Sequence, residues 1–477
     1  MNKHIAVIFI LANLITSLTF TVYPAKASPQ TIIVPDDYPS IADAVGNATD
    51  GATIFVRKGT YQEHSIEINK TLSLIGEAPN TTIIEDIDPQ VLVLPTQLLP
   101  ENSAPIKIAA DNIKISGFTL TNGGNGISGT GSQTQITDNL ITAPYGCINL
   151  KGSNITITQN IIENNANGGL SGYGIKCNGY YNTIASNRIT GPNNYAITIE
   201  HESSLNVVCN NTIVDAGSIH VYGNRNVVAK NSLTHGGISI DGTSNTVYSN
   251  RIEGSGFGLV GYNNTFYANY LTYAVNVGSN VEDAANNIFY DNNFVGSTQV
   301  GGWIGVRGPN FWDNGVEGNF WSDYNGTDSN NDGIGDFPYT IDANNQDNYP
   351  LMAPYNIDSV IAELPEWANT SPPTPPFPTP TPNSPPNTST STATPNPTQI
   401  TPTLSTIATP TTTPALTNST EASSSPSVTQ QPSPSTSTPA ASGGVGSPVD
   451  GLWIGVAVAV VVGVVVGVLF RRKRLGA

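Results

Sequence analysis

Glu200, Glu202 and Asp241 stand close in the chain to Tyr180, Tyr181, Tyr222 and Tyr262. Residues of these types suit chemistry on sugars: carboxylates act as acid, base or nucleophile, and tyrosine rings stack on sugar faces. Glycoside hydrolysis usually needs two carboxylates facing one bond at about 5 to 9 Å. Glu200 and Glu202 come from a turn two residues longer than its neighbours, so spacing leaves their position against Asp241 open. Solvated turn groups of these types also need no function at all. A second constellation, Asp328-x-Asn330-x-Asp332-Gly333-x-Gly335-Asp336, alternates oxygen donors around a glycine turn, as a loop that wraps Ca²⁺ does. An EF-hand would place Glu where Tyr339 stands. Ca²⁺ there and a metal-free cap held by Asx turns are both open.

The elements that position these groups come from a repeated phrase: NTIASNRI, NVVCNNTI, NVVAKNSL, NTVYSNRI, NTFYANYL and NIFYDNNF. Asn182, Asn206, Asn226, Asn245, Asn264 and Asn287 open the copies, and Asn187, Asn211, Asn231, Asn250, Asn269 and Asn292 follow inside them. A fixed period of about 20 residues marks a solenoid, each repeat being one turn of a superhelix. Stacked on the second asparagine, with Asn139 and Asn160 joining and Phe118 standing in at the start, the repeats give two apolar columns. One is Ile136, Ile157, Ile184, Val208, Val228, Val247, Phe266 and Phe289; the other is Ile141, Ile162, Ile189, Ile213, Leu233, Ile252, Leu271 and Phe294. Like side chains stacked this way form the core of a parallel sheet. The asparagines between them are expected to take the left-handed turn conformation and to bond to one another from coil to coil.

A third run of strands is predicted ahead of each opening asparagine, with pairs such as Ile148/Leu150 and Ile219/Val221 pointing inward. Between them Asn149, Lys176, Thr198, His220, Ser239 and Gly258 point out, a polar ladder with two basic groups and no carboxylate. With Tyr180, Tyr222 and Tyr262 on the neighbouring turns, it is the candidate ligand-binding row. Asn314, Val316, Asn319 and Trp321 are expected to fill the repeat's four slots once more as the last coil.

The chain's ends place the solenoid. Lys3 and His4 precede an apolar run and Ala25-Lys26-Ala27, so residues 1–27 read as a secretion signal. Ser40 and Asp43 cap a short helix over Ile41 to Val45, which covers the solenoid's open end. The β-helix is expected over 28–362, with an Asp/Asn/Gly-rich cap at 314–354. Pro, Thr and Ser dominate 363–450, a disordered stalk, and sequons such as Asn154 and Asn263 suit a secreted glycoprotein. Residues 451–470 are apolar and uncharged after Asp450, long enough to span a bilayer, and Arg471, Arg472, Lys473 and Arg474 place the tail, 471–477, in the cytoplasm. The fold class is therefore all-β, a right-handed parallel β-helix with a short capping helix, a stalk and one transmembrane helix, displayed at the cell surface.

The first coil, with VPDDYPSIADA and GTYQE, and the C-terminal stretches NFWSDYNGTD, DGIGDFPY and DNYPLM resemble NosD-type and pectin-lyase-like right-handed β-helix proteins. The resemblance covers about Thr31 to Pro354 and is to a group abundant on the surfaces of methane-producing archaea. It implies a carbohydrate-binding and sugar-hydrolase-like domain. The family's link to copper-enzyme maturation does not carry over, because Cu(I) prefers Cys and Met and the chain has two Met and three Cys, the latter at different repeat slots. A net charge of -17 argues against nucleic acid as partner. The leading expectation is a surface module that binds a polysaccharide or cell-envelope glycan. The rival is a polysaccharide hydrolase, lyase or epimerase using Glu200, Glu202 or Asp241, and a purely structural envelope component is the third. The Asp clusters and paired basic residues of the pectate-lyase and polygalacturonase families have no convincing match in the sequence.

Overall fold

A computed structural model describes residues 30–87, 103–165, 172–192, 195–278, 284–296, 300, 308–361 and 364–365. The secretion signal, almost all of the Pro/Thr/Ser-rich stretch, the apolar C-terminal run and the basic tail lie outside the described residues. What is described is a solenoid of three parallel sheets. Sheet A has twelve strands, from Thr31–Val34 to Ile288–Tyr290; sheet B has twelve, from Gly59–Glu63 to Phe320–Trp321; sheet C has ten, from Ile66–Ile68 to Val275–Val277. Each strand pairs with its counterpart one coil away, and the registers align the sequence columns: Ile184 with Val208, Ile189 with Ile213, Ile197 with Ile219. All three inward columns fuse into one core. Aromatic side chains take over late, where Phe266, Phe289 and Trp312 stack at 4.8 and 4.4 Å.

Two asparagine ladders run beside this core, one from Asn139 and the other from Asn182 onward. In one, Asn231 Nδ2 donates to Asn250 Oδ1 at 3.0 Å and to Val208 O at 2.9 Å, while its own Oδ1 accepts from the backbone N–H and Nδ2 of Asn211. In the other, Asn206 and Asn226 repeat the pattern. Phe118 does begin the Asn231 ladder, its N–H donating to Asn139 Oδ1. The ladder asparagines are not the left-handed residues, however. That conformation falls on the residue just before them: Asp138, Gln159, Ser186, Asn210, Lys230, Ser249, Ala268 and Asp291, with φ between 52° and 59°. The corner needs a backbone shape that costs about 1–2 kcal/mol for most residues, whereas only the inward position needs an amide.

At the N-terminal end the helix α1, Ile41–Asn47, buries Ile41, Ala44 and Val45 over the first coil. Ser40 Oγ accepts from Asp43 N–H, and the carboxylate of Glu63, not that of Asp43, takes the N–H groups of Ile41 and Ala42. At the other end the last coil differs from the sequence expectation. Asn310 and Trp312 occupy the slots assigned to Asn314 and Val316, because residues 313–317 form an exposed turn in which Asn314 Oδ1 accepts from Val316 and Glu317. Asn319 and Trp321 hold their expected slots. The hairpin Tyr339–Thr340 with Gln346–Asp347 then ends both ladders: Asn345 Oδ1 accepts from Asn310, and Asp347 Oδ2 accepts from Asn319 and from Trp321 Nε1. A terminus must accept from the previous rung but has no further rung to serve, so a carboxylate can fill it. The chain then turns back along sheet A. Its Tyr355 pairs with Asn293, Ile357 O accepts from Ser249 Oγ, and Val360 and Leu364 pack on an outer apolar patch of Val207, Cys209, Ala229 and Tyr248.

Burial pushes the carboxyl of Asp347 up to about 6 against the pull of its N–H donors, and burial with nearby Glu317 does the same for Asp291. Both hold a proton more tightly folded than unfolded, so their stabilising contribution is complete below about pH 4 and is lost as pH rises through about 6. Thermal melts across this window are expected to fall more steeply with pH for the native chain than for the Asp291→Asn, Asp347→Asn double variant. Parallel slopes would refute the assignment.

Candidate functional site

The outward column of sheet C is continuous from Glu67 through Lys107, Ser128, Asn149, Lys176, Thr198, His220, Ser239 and Gly258 to Asn276. The strands lie about 4.8 Å apart, so neighbours in the column are within side-chain reach. Its first part borders an open groove of about 550 Å³ lined by Glu67, Lys107, Asn125, Ser128, Asn149 and Lys151.

Further along, four successive rungs interlock. Strands Tyr173–Asn178, Tyr195–Ile199, Ser218–Val221 and Ile238–Ile240 carry Lys176, Thr198, His220 and Ser239 in the outward column. The residues that follow these strands form a second column, where Glu200, Tyr222 and Asp241 each bond back to the previous rung. Lys176 Nζ reaches Glu200 Oε1 at 2.8 Å and sits 5.7 Å from the centre of the Tyr173 ring. His220 Nε2 meets Asp241 Oδ2 at 2.8 Å, and Ser239 Oγ donates to Asp241 Oδ1 at 3.3 Å. The His220 ring stacks on Tyr222 at 3.9 Å and lies 5.2 Å from Tyr195, while His201 lies 4.4 Å from Tyr222. Burial, with Tyr195 adding to it, pushes the Tyr222 hydroxyl up to about 12, so it keeps its proton at neutral pH.

Of the residues singled out in the sequence, the structure therefore brings together Lys176, Thr198, His220, Ser239, Tyr222, Glu200 and Asp241. Asn149 lies one rung before Lys176 and faces the groove. Glu200 and Asp241 flank Tyr222 in one column, two rungs or about 10 Å of backbone apart, and each is engaged by a cationic or ionisable partner. Glu202 is exposed in the turn with φ 63°. Tyr180, Tyr181 and Tyr262 are exposed on other corners, and Tyr180 is aligned with Ser204 and not with Tyr222.

Tyr173 and Tyr195 escape a period-two reading. In these strands two consecutive residues point inward, Gly174 with Ile175 and Ala196 with Ile197, which reverses the phase and turns the preceding tyrosine outward. The signal is a small residue just before the first inward isoleucine, repeated as Gly126, Cys147, Gly174 and Ala196. His201, which the sequence offers in the same turn as Glu200 and Glu202, packs on Tyr222.

The acidic loop uses its own oxygens. Asp328 accepts from the N–H groups of Asp332 and Gly333, Asp332 accepts from Ile334 N–H and Asn330 Nδ2, and Asp336 accepts from Thr327 and Ser329. Among the described residues no three His, Cys, Asp or Glu side chains are grouped as a metal site. Cys147 and Cys177 are buried in the core and Cys209 lies under the returning C-terminal segment; all three are free thiols.

Residues 106–252 match the family model described as right handed beta helix region. No curated protein matches the chain. Among solved structures it is similar to a mannuronic acid specific polysaccharide family 6 lyase from human gut microbiota, at 16% identity over 59% of this chain and 78% of that one, with a TM-score of 0.42. It is similar also to DFA-IIIase from Arthrobacter chlorophenolicus A6, at 14% identity over 61% and 93%, with a TM-score of 0.40. A pectin methylesterase from Erwinia chrysanthemi matches at 14% identity over 42% and 81%, with a TM-score of 0.28. The chain folds as a right-handed parallel β-helix.

Proposed function

We propose that this is a membrane-anchored extracellular protein that binds a glycan or cell-envelope polymer along the outer face of sheet C. The observation that carries the reading is the four-rung cluster around Tyr222. There ion-paired donors and acceptors stand beside the exposed Tyr195 ring, on which a sugar ring can stack, while the Tyr222 ring packs on His220 and His201. A polymer laid along the axis meets a new set of such groups at each rung, and the groove beside Asn149 and Lys151 extends the track. The secretion signal and the apolar anchor supply the location. The loop is shaped by Asx turns with or without Ca²⁺, because the carboxylate oxygens of Asp328, Asp332 and Asp336 that accept its N–H groups keep lone pairs with which, alongside Asn330, they would ligate the ion.

The test is a glycan array probed with the full chain in detergent, run with and without Ca²⁺, followed by titration of the best ligand. Tyr195→Ala is expected to weaken binding about tenfold, the worth of one good stacking contact. Lys176→Ala should weaken it further for acidic glycans. Affinities unchanged within twofold in both variants would sink the reading.

A lyase-type reading is favoured by one contact. Asp241 holds the proton of His220 on Nε2, which leaves Nδ1 as a base on a ring stacked against Tyr222. Turnover of a bound glycan that Asp241→Asn removes, with affinity kept, would establish this reading over simple binding. With neither binding nor turnover, a structural envelope role stands.

A further inference from the structure

The chain has three His–Asp contacts among its described residues. His235 with Asp215 is exposed on both sides, and His220 with Asp241 belongs to the cluster on sheet C. The third, at the N-terminal start of sheet C, has an additional member. His64 Nδ1 meets Asp86 Oδ1 at 2.6 Å, and Ser65 Oγ lies 3.0 Å from His64 Nε2. The Asp86 side chain is 0% exposed, and its other oxygen accepts from Ser103 Oγ at 3.1 Å. Both carboxylate oxygens are thus engaged, which fixes its plane. The carboxylate keeps the ring proton on Nδ1, so Nε2 presents its lone pair to the serine hydroxyl. Ser65 turns the corner at φ 49°, which lets its side chain fold back onto the preceding ring. His64 and Ser65 are only half-buried, and about a third of the His64 side chain is open to solvent.

We propose that Ser65, His64 and Asp86 form an acyl-transfer site that hydrolyses a carboxylic ester. The roles follow from order and distance, which is how such an arrangement is recognised whatever its place in a fold. Ser65 Oγ attacks the ester carbonyl carbon while its proton passes to His64 Nε2. The carbonyl re-forms as the bond to the leaving oxygen breaks, and that oxygen takes the proton from His64. Water then repeats both steps on the acyl-serine and releases the carboxylic acid. No oxidant, metal or further reactant is needed. Asp86 is a positioning residue, holding the ring and its charge. Glu67, two residues on, borders the groove of sheet C, so an ester on a polymer lying there would be close to Ser65. Only this last clause rests on the glycan reading.

The test uses the full chain with a fluorophosphonate probe and with p-nitrophenyl acetate, neither of which depends on glycan binding. Peptide mapping should place the phosphonyl group on Ser65. Ser65→Ala, which leaves the His64–Asp86 contact intact, should abolish labelling without lowering the melting temperature. His64→Gln should slow hydrolysis about a hundredfold or more. Asp86→Asn should shift the pH profile as well as the rate, which a purely structural carboxylate would not do. In Ser65→Cys, the thiol should react with iodoacetamide faster than a free thiol at pH 6 to 7. Absence of probe on Ser65 in the folded chain, or a Ser65→Cys thiol no faster than a free one, would overturn the proposal whether or not a glycan binds.

Discussion

Replacing Asn231 with alanine is expected to cost on the order of 4 kcal/mol of stability, from two orphaned backbone groups at about 1–3 kcal/mol each. The residue is almost fully buried. Its amide accepts from Asn211 N–H and bonds the carbonyl of Val208, so alanine leaves both without that partner. The adjacent position should behave oppositely. Lys230 sits in the left-handed region at φ 56° with an exposed side chain, so Lys230→Gly relieves about 1 kcal/mol of backbone cost instead of adding any. Denaturant melts of the two single variants would check the contrast. Equal losses at both positions would mean that the ladder is not what specifies the corner.

The second large effect is expected at the closing end. Trp321 stacks on Phe294 at 4.4 Å and on Tyr339 at 4.3 Å, and its Nε1 donates to Asp347 at 2.8 Å. Trp321→Ala removes the last stacked ring of sheet B and one donor to a buried carboxyl, for a loss of about 3–5 kcal/mol. Trp321→Phe keeps a ring in place and forfeits chiefly the N–H, about 1–3 kcal/mol. Because each coil contacts mainly its neighbours, the damage should begin locally. Hydrogen exchange should therefore accelerate at Tyr339–Thr340 and Gln346–Asp347 well before it does in the coils near Ile136. Uniform acceleration along the chain would contradict this.

The contrast between Asn231 and Lys230 also explains what the sequence made legible. Inward positions meet the same neighbours in every coil, so their chemistry repeats and can be aligned: isoleucine under valine, asparagine under asparagine. Lys230 has Ala268 and Asp291 as counterparts because the corner constrains a dihedral angle, which leaves little trace in residue identity. The last coil departs from the expected alignment for a related reason. Five residues normally separate the ladder positions, but the exposed turn after Trp312 lengthens that interval, and a period cannot announce its own interruption. The outer face was readable only in part. Lys176, His220 and Ser239 follow the alternation, whereas Tyr173 and Tyr195 appear outside because a doubled inward pair reverses the phase. The Ser65, His64 and Asp86 contacts join the first two coils through a side-chain geometry that no repeat encodes.

The segment that returns along sheet A has a mechanical consequence. A pull applied beyond Pro365 is not delivered first to the final coil. It must strip Val360 and Leu364 from the patch at Val207 and Tyr248, then break the Ser249 bond to Ile357, then the two bonds between Asn293 and Tyr355. These weak links fail in series, so the segment acts as a tether that yields in steps and shields the aromatic plug at Trp321 from tension.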